Sequence, residues 1–366
     1  MTRALTVEAE PAFRTRHANP YNASLYRAMQ GLGVRVRDLS YVRLAVTRVD
    51  IVHLHWPSLT FLSGHRQWRV FARLVCFFGA LRVARLRGTR VVWTVHNVEA
   101  HEQRSTPRLR SWYRRLLLEN VDGILALTND GVDAARRAHP ELAAVPAFVT
   151  PHGHYRDDYD FSIGRDAARE RLALPDAATV VLTVGQVRPY KNVPHLIRTF
   201  ADVHEADAVL AIAGRPSTPA LAEEIRDAAA PDPRVVTELE FQADDRLAHW
   251  LVASDLVVLP YTAIQNSGSA ILALSANRPV LVPAIGGMVE LADLVGPEWI
   301  RTYDGTLDAV DLARAIAWAR APRPATADLS ALDWSNIARD TVAAYHQIRS
   351  GRAPAQLQHD PIGEVR

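Results

Sequence analysis

The chain has 366 residues, of which 48% are hydrophobic and 22% charged, and its formal net charge is +2 at pH 7. This composition is that of a soluble globular protein, and the length suits two domains. No segment approaches the roughly 18 uninterrupted apolar residues of a membrane-spanning helix, and residues 1–20 lack the apolar core of a signal peptide. We therefore expect a cytoplasmic protein.

Cysteine and histidine give no sign of a disulfide or a metal site. The one cysteine, Cys76, lies in the apolar run LVCFFGAL, which predicts a buried thiol and excludes an intramolecular disulfide. Neither a CxxC pair nor an HExxH spacing occurs, so the 14 histidines form no compact metal signature. We expect no metal and no bound cofactor.

Positive charge is concentrated in one segment. Residues 66–115 hold twelve arginines against two acids, Glu99 and Glu102, a local balance of +10 that leaves about −8 for the rest of the chain. Two interpretations are open: a core-packed helix with solvated arginines, and a helix that lies on an anionic membrane surface at the inner face of the cell membrane. The segment has no nucleic-acid-binding motif, so no nucleic acid is expected as a partner.

Short apolar runs that end at turn residues alternate with helical patterns along the chain. The runs are rich in β-branched residues and do not alternate with polar residues, which is typical of parallel strands covered on both faces. In the first half the predicted strands are 49–56, 90–97, 122–128 and 145–153. In the second half they are 179–185, 208–214, 234–239, 255–261 and 278–283, with helices at 193–205, 220–230 and 246–253.

Two sets of βα units predict an α/β protein with two doubly wound, Rossmann-like domains that face each other across a cleft. The charged segment 154–177 separates the sets, so we place the domains at 1–160 and 161–334. Residues 335–350 form an amphipathic helix that is expected to cross back to the first domain. The polar tail 351–366 is expected to be disordered.

One lysine, Lys191, stands among 42 Lys and Arg residues, in the segment VGQVRPYKNVPHLI. Gly185 ends a predicted strand and a helical pattern begins at Val193, so Arg188 and Lys191 lie in the loop at a strand's carboxyl end. Two cations beside a helix N-terminus make a site for phosphate oxygens. The competing interpretation is two ordinary surface charges, but a compact ammonium differs in function from the arginine fork that this chain otherwise uses.

Several segments together resemble the GT-B fold glycosyltransferases, nearest to the retaining family 4 group. They are VDIVHLHW, TVHN, DGILALT, VTPHG, VGQVRPYKNVPHLIRTF, LAIAG, ASDLVVLPY and SGSAILALSANRPVLVPAIGGMVEL, which cover most of residues 40–320 in order. The resemblance implies that Arg188 and Lys191 hold the diphosphate of a sugar nucleotide without a metal. It also places His96, in TVHN, near the donor sugar and the attacking hydroxyl, with Asn97 in the same loop.

The segment NSGSAILALSANRP departs from the family pattern. Alignment on Arg278 and Pro279 puts Leu272 where the family has a glutamate that grips the ribose, and Ile264 near a second glutamate. The candidate phosphate or ribose contacts that remain are Asn266, Ser267, Gly268 and Ser269, at a helix N-terminus. Ribose recognition is therefore not explained by the resemblance.

Further candidates follow from their positions relative to the family pattern. Glu240 lies where the family often recognises the base, with capping or surface exposure as the alternative. Asn22, together with His17 and Asn19, precedes or begins a helix and could meet the acceptor. Gly153 marks a turn out of the first domain, and its neighbours His152 and His154 are expected to be structural.

The resemblance implies a retaining, metal-independent transfer of a sugar from a UDP- or GDP-linked donor to a hydroxyl of a glycan or lipid-linked glycan. Exopolysaccharide or cell-envelope synthesis is the expected setting. Two alternatives stay open from the residues alone: a non-catalytic subunit that binds sugar nucleotides, and a sugar-nucleotide epimerase or hydrolase of the same fold. Cleft carboxylates, which the latter would need, are scarce.

Overall fold

The computed structural model describes residues 3–17, 19–64, 66–96 and 105–351. The chain forms two compact units: the first combines Met1–Pro151 with Trp334–Arg366, and the second is His152–Asp333. The boundary thus precedes the one predicted near residue 160. The reason is that Tyr155 lies in the hydrophobic core of the second unit, where Tyr159 and Phe161 pack against the same core.

The first unit is built on a six-stranded parallel sheet with the order β2-β1-β3-β4-β5-β6. Its strands are β1 (Thr6–Glu10), β2 (Arg35–Asp38), β3 (Ile51–Leu54), β4 (Arg90–Val95), β5 (Gly123–Ala126) and β6 (Ala147–Val149). Its helices are α1 (Tyr21–Gly31), α2 (Tyr41–Val46), α3 (Pro57–Phe61), α4 (Gln67–Arg85), α5 (Pro107–Asn120) and α6 (Asn129–Ala138), and α14 (Trp334–Ser350) returns to it from the end of the chain.

The second unit is built on another six-stranded parallel sheet, with the order β12-β11-β10-β7-β8-β9. Its strands are β7 (Thr179–Val184), β8 (Ala208–Ala213), β9 (Val235–Glu238), β10 (Leu256–Val258), β11 (Val280–Pro283) and β12 (Ile300–Tyr303). Its helices are α7 (Arg165–Arg171), α8 (Val193–Ala201), α9 (Pro219–Ala229), α10 (Asp244–Ala253), α11 (Gly268–Ser275), α12 (Gly287–Val295) and α13 (Ala309–Ala319).

Each predicted strand contains an observed one, but β1, β2 and β12 were not predicted. These three strands carry charged residues that break the apolar pattern. In β1 the buried carboxylate of Glu8 accepts hydrogen bonds from Arg43 Nε at 2.8 Å and from the Ser40 backbone N–H at 2.9 Å. A buried charge that is paired in this way does not show in a hydrophobicity pattern.

The helix α4 is apolar on both faces. Its inner face packs into the core of the first unit through Val70, Leu74, Phe77, Leu81 and Ala84. Its outer face, defined by Trp68, Phe71, Val75, Cys76 and Val83, is exposed to solvent. The prediction of a buried Cys76 thiol is therefore wrong, because apolar residues on two opposite sides of a helix do not reveal which side meets the core.

Candidate functional site

The strand order of the second unit identifies one edge of its sheet as a binding edge. β8 and β9 extend the sheet on one side of β7, and β10, β11 and β12 extend it on the other. Ligands of doubly wound sheets bind at the carboxyl ends of the strands where the order reverses. Here that place is formed by the loops after β7 and β10, which carry the predicted lysine loop and the segment that begins at Asn266.

Gly185 and Gly214 allow the loops after β7 and β8 to come close together. A Cβ atom on Gly214, which has φ +156°, would lie 1.8 Å from the carbonyl oxygen of Gly185, so only glycine fits there. Gly185 has φ +96°, and a Cβ atom on it would lie 3.4 Å from Ser269 Oγ and 3.7 Å from Lys191 Nζ. Because Gly185 has no side chain, the backbone of this loop can lie close to the Lys191 ammonium.

Lys191 is a buried cation at this edge. The residue is 8% exposed, ends the short 3₁₀ helix Pro189–Lys191, and its Nζ lies 3.5 Å from Ser269 Oγ and 5.8 Å from the centre of the Tyr261 ring. Burial lowers the pKa of the Lys191 ammonium to about 8, and the positive charge of Arg188 contributes to the decrease. Among the described residues no carboxylate offsets this cost, and an anionic ligand would do so.

The N-terminus of α11 lies beside Lys191. Ser267 caps the helix: its Oγ accepts from the backbone N–H of Ala270 at 3.1 Å and is 2.9 Å from the hydroxyl of Tyr261. A Cβ atom on Gly268 would lie 3.2 Å from the hydroxyl of Tyr155, so the glycine lets the chain pass close to that ring. A helix N-terminus beside a buried ammonium is an arrangement that binds phosphate.

The other predicted residues of the second unit are placed as follows. Arg188 is half-buried and donates to Oε1 of Gln186 at 3.1 and 3.3 Å. Asn266 has a buried Nδ2 with no hydrogen-bond partner within the described part of the chain. Glu240 is exposed and follows β9, the edge strand, which is separated from β7 by β8.

The departure from the family pattern has a structural counterpart. Leu272 packs in the core of the second unit, and Ile264 packs against that core. Hydrocarbon therefore occupies one position at which the family has a glutamate and lies near the other. The Nδ2 of Asn266, which has no partner within the described residues, lies just before the Ser267 cap of α11. Tyr261, which the sequence analysis did not single out, could have been found because it follows β10 at the reversal point.

The first unit has its own reversal point, between β1 and β3. His55 and Trp56 directly follow β3, and His96 directly follows β4. His96 is 7% exposed, its Nε2 lies 3.0 Å from His55 Nδ1, and its ring stacks on Trp56 with 4.1 Å between ring centres. The structure thus brings His96 together with His55, a histidine to which the sequence analysis gave no role. Asn97 lies outside the described residues.

Asn22 is 1% exposed, and its Nδ2 donates to the carbonyl oxygen of Pro11 at 3.0 Å. This bond ties the first turn of α1 to the loop after β1. Asn19 accepts from the backbone N–H of Tyr21 at 3.0 Å, and His17 lies 3.2 Å from Arg16 Nε. A contact between Asn22 and an acceptor stays a prediction. In the structure the buried Asn22 side chain is held against the loop after β1.

The residues of the turn at 152–154 have structural partners in the second unit. His152 Nε2 lies 3.1 Å from the hydroxyl of Tyr155, and burial lowers the pKa of His152 to about 4. His154 Nε2 pairs with Asp333 at 2.8 Å. Within the described ranges no group of three or more His, Cys, Asp or Glu residues has the geometry of a metal site.

Two doubly wound units, one of which has a buried ammonium and a helix N-terminus at its reversal point, define a GT-B glycosyltransferase. The fold agrees with that of sucrose-phosphate synthase from Thermosynechococcus elongatus (TM-score 0.63, 19% identity, 95% of this chain and 100% of that chain). It also agrees with that of a glycosyltransferase from Rickettsia africae (TM-score 0.59, 12% identity, 96% and 95%).

The family model for glycosyl transferases group 1 matches residues 178–319. A GDP-mannose:glycolipid 4-beta-D-mannosyltransferase from Xanthomonas campestris pv. campestris is 35% identical over 325 residues, which are 88% of this chain and 86% of that protein. The chain belongs to the group 1 glycosyltransferase family, and it is an enzyme of that class.

Proposed function

We propose that this enzyme transfers mannose from GDP-mannose to a hydroxyl group of a glycolipid. Of the UDP- and GDP-linked donors that the sequence predicted, we thus propose the GDP-linked one. The proposal rests on the similarity to the Xanthomonas mannosyltransferase, which extends over most of both chains. The similarity also supports a role in the synthesis of exopolysaccharide or another cell-envelope glycan.

The observation that carries the donor part of the proposal is the buried ammonium of Lys191 at the α11 N-terminus. When the bond between the sugar and the diphosphate breaks, negative charge grows on the leaving oxygen. Lys191, Arg188 and the backbone N–H of Ser269 in the first turn of α11 would stabilise that charge. These groups supply positive charge from the protein itself, which supports the metal-independent transfer implied by the family resemblance.

The stereochemical outcome needs its own proposal. The resemblance to family 4 implied retention, whereas the name of the Xanthomonas relative specifies a β-D-mannosyl product. Because GDP-mannose carries its mannose through an α bond, a β product requires inversion at the anomeric carbon. We therefore propose inversion for this enzyme in place of retention.

Product analysis tests donor and stereochemistry together. Purified enzyme with a lipid-linked saccharide acceptor is expected to consume GDP-mannose and to leave UDP-glucose unchanged. The one-bond carbon–hydrogen coupling at the new anomeric centre, measured by NMR, is expected to identify a β-mannoside. Turnover with an α-mannoside as the product would reject inversion, and transfer from UDP-glucose alone would reject the proposed donor.

The outer face of α4 supports docking on an anionic membrane surface. Trp68 and Phe71 are 65% and 52% exposed, Phe71 stacks on Trp112 at 5.4 Å between ring centres, and Arg69 lies over the Trp68 ring at 5.3 Å. Exposed arginines follow on α5, namely Arg108, Arg114 and Arg115. Aromatic side chains beside arginines are typical of helices that lie in the headgroup region. No helix of the described residues is long and apolar enough to cross a membrane.

A fluorophore on Cys76 tests this docking, because Cys76 is the only cysteine and lies on the outer face. Vesicles that contain phosphatidylglycerol are expected to shift the emission to shorter wavelength, and salt is expected to weaken the effect. The double variant Trp68→Ser/Phe71→Ser should lose it, whereas Leu294→Ser/Val310→Ser, which removes exposed apolar side chains from the second unit, should keep it. An unchanged spectrum of the unmutated protein would rule out docking through this face.

A further inference from the structure

Two residues of opposite charge lie at the ends of neighbouring strands in the second unit. Ala213 and Glu238 are register partners at the ends of β8 and β9, and Arg215 and Glu240 each follow two residues later. Both of these later residues are exposed. In the described part of the chain, the side chains of Arg215 and Glu240 form no hydrogen bond or ion pair, with each other or with a third residue. A strong donor and a strong acceptor are therefore both available at this end of the sheet.

The loop after β9 is held in place by hydrogen bonds. Gln242 is 7% exposed, and its Nε2 donates to the carbonyl oxygen of Glu240 at 3.2 Å. Arg246, whose charge acts on Glu240, donates through Nε to Oε1 of Glu238 at 2.6 Å and is therefore already paired. Phe241, which follows Glu240, is 69% exposed. The loop thus presents a carboxylate and an uncovered aromatic ring next to each other.

Both residues lie on the side of β7 toward which a nucleotide can extend from Lys191. The carbonyl oxygen of Arg215 accepts from the Val187 N–H of the lysine loop at 3.0 Å. Neighbouring strands are about 4.8 Å apart, so β9, two strands from β7, is displaced by about 10 Å, which leaves room for a ribose. On the other side, the loop after β10 covers the end of β11, because a Cβ atom on Gly286 would lie 2.1 Å from the carbonyl oxygen of Ile264. A diphosphate at Lys191 therefore places its base at the ends of β8 and β9.

The hydrogen-bonding groups of guanine match this pair of charges. O6 and N7 of guanine are acceptors, and arginine binds them in a bidentate manner. N1–H and the 2-amino group lie next to O6 and are donors, which the two oxygens of one carboxylate can accept. Adenine has an amino group in place of O6 and lacks the 2-amino group. Uracil has a single N–H donor on its ring. Of these three bases, only guanine uses both side chains fully.

We propose that Arg215, Glu240 and Phe241 form a guanine site. Arg215 donates to O6 and N7 of the base, Glu240 accepts from N1–H and the 2-amino group, and Phe241 stacks on the ring. The inference rests on the proposed function, because it takes a GDP-linked donor with its diphosphate at Lys191. It goes further by assigning the choice of the base to three side chains of the second unit.

Inosine diphosphate (IDP) tests the contact of Glu240, because it differs from GDP only in lacking the 2-amino group. Calorimetric titration of the unmutated enzyme is expected to show that GDP binds on the order of 5- to 100-fold more tightly than IDP. In Glu240→Gln, GDP should bind more weakly and the two affinities should lie within about 3-fold of each other. Glu223→Gln, which changes an exposed acid of α9, should keep the full difference between GDP and IDP.

The other two residues of the guanine site are expected to give different patterns. Arg215→Leu removes the donor to O6, so GDP and IDP, which both have O6, should weaken to a similar extent, on the order of 5- to 100-fold, whereas ADP should not weaken. Arg226→Leu, at an exposed arginine of α9, is its control. Phe241→Ala should weaken GDP, UDP and ADP alike, because stacking does not depend on the base, and Phe241→Tyr should restore the affinity.

Three outcomes separate this inference from the proposed function. An unchanged ratio of GDP to IDP affinity in Glu240→Gln, or unchanged GDP affinity in Arg215→Leu, would overturn the guanine site even if mannose is transferred. Tighter binding of UDP than of GDP by the unmutated enzyme would overturn both the proposed donor and the guanine site. The expected affinity ratios without transfer of mannose would support the guanine site and overturn only the proposed function.

Discussion

Replacement of Lys191 by methionine is expected to lower kcat/KM for GDP-mannose on the order of 100- to 1000-fold, which is the effect of removing one preorganised charge-stabilising group. Methionine keeps the unbranched apolar body of lysine, one atom shorter, and removes the charge that faces Ser269. Steady-state kinetics of the purified variant measure the loss. Arg198→Met is the matched control, because it removes one positive charge from an exposed side chain of the same unit. Similar losses in both variants would contradict a specific role for Lys191.

The same variant should not be less stable than the unmutated enzyme at pH 7. The folded-state pKa of Lys191 is lowered from 10.5 to about 8, so keeping its charged form in the unliganded fold costs free energy on the order of 3 kcal/mol. This cost is fully present below pH 8, decreases as the pH rises from about 8 to 10.5, and is absent at higher pH. Lys191→Met removes the cost, and thermal unfolding at pH 7 is expected at an equal or higher temperature. A large decrease would show that Lys191 is mainly structural.

Nucleotide affinity should depend on pH for the same reason. Lys191 loses its proton as the pH rises through about 8, so GDP is expected to bind more weakly at pH 9 than at pH 7.5. The dependence should disappear in Lys191→Met, which has no group to titrate there. If the variant keeps the full dependence, another group is responsible for it.

The family resemblance places His96 near the attacking hydroxyl, where it would take the acceptor proton in the proposed inverting transfer. His96→Asn is therefore expected to lower kcat by about 100- to 10000-fold, the range for loss of a general base, while GDP still binds. Asparagine keeps a polar group near the position of Nδ1 but cannot take a proton at neutral pH. GDP affinity should change little, because the donor residues argued above belong to the second unit, whereas His96 belongs to the first.

His139→Asn is the control for this prediction. His139 belongs to the same unit but follows α6, and its ring lies 5.9 Å from that of Trp93. Its replacement should leave kcat nearly unchanged. If His96→Asn retains more than about a tenth of the kcat, His96 does not act as the base.

The donor side of the site was largely predictable from the sequence, because its parts lie in short segments. Gly185, Arg188 and Lys191 follow directly on a buried strand, and Ser267 to Ser269 begin a helix. The rule that ligands bind where the strand order reverses then brings both segments to one edge. The placement of Tyr261 beside Lys191 follows from the same rule once the order β7-β10 is known.

The hydrogen bonds around His96 were not predictable in this way. They link His96 to His55, His55 to Tyr26, Tyr26 to His53 and His53 to Thr94, so they depend on α1, β3 and β4 at once and join residues that are 27 to 41 positions apart. The alternation of His53 and His55 in VDIVHLHW shows only that both side chains lie on one face of the strand. Similarly, the exposure of Cys76 depends on which side of α4 meets the core, and the apolar residues on both sides of this helix do not distinguish them.

A thermal-shift comparison of GDP, UDP, ADP and dTDP with the purified protein tests the central claim most directly. The account predicts stabilisation by GDP, of about 2.7 kcal/mol at 100 times its dissociation constant if unfolding is a single transition, and weaker effects of the other nucleotides. Loss of the GDP effect in Lys191→Met would assign it to the edge formed by β7 and β10. Folded protein that responds to none of the four nucleotides, or to UDP in preference to GDP, would contradict the account.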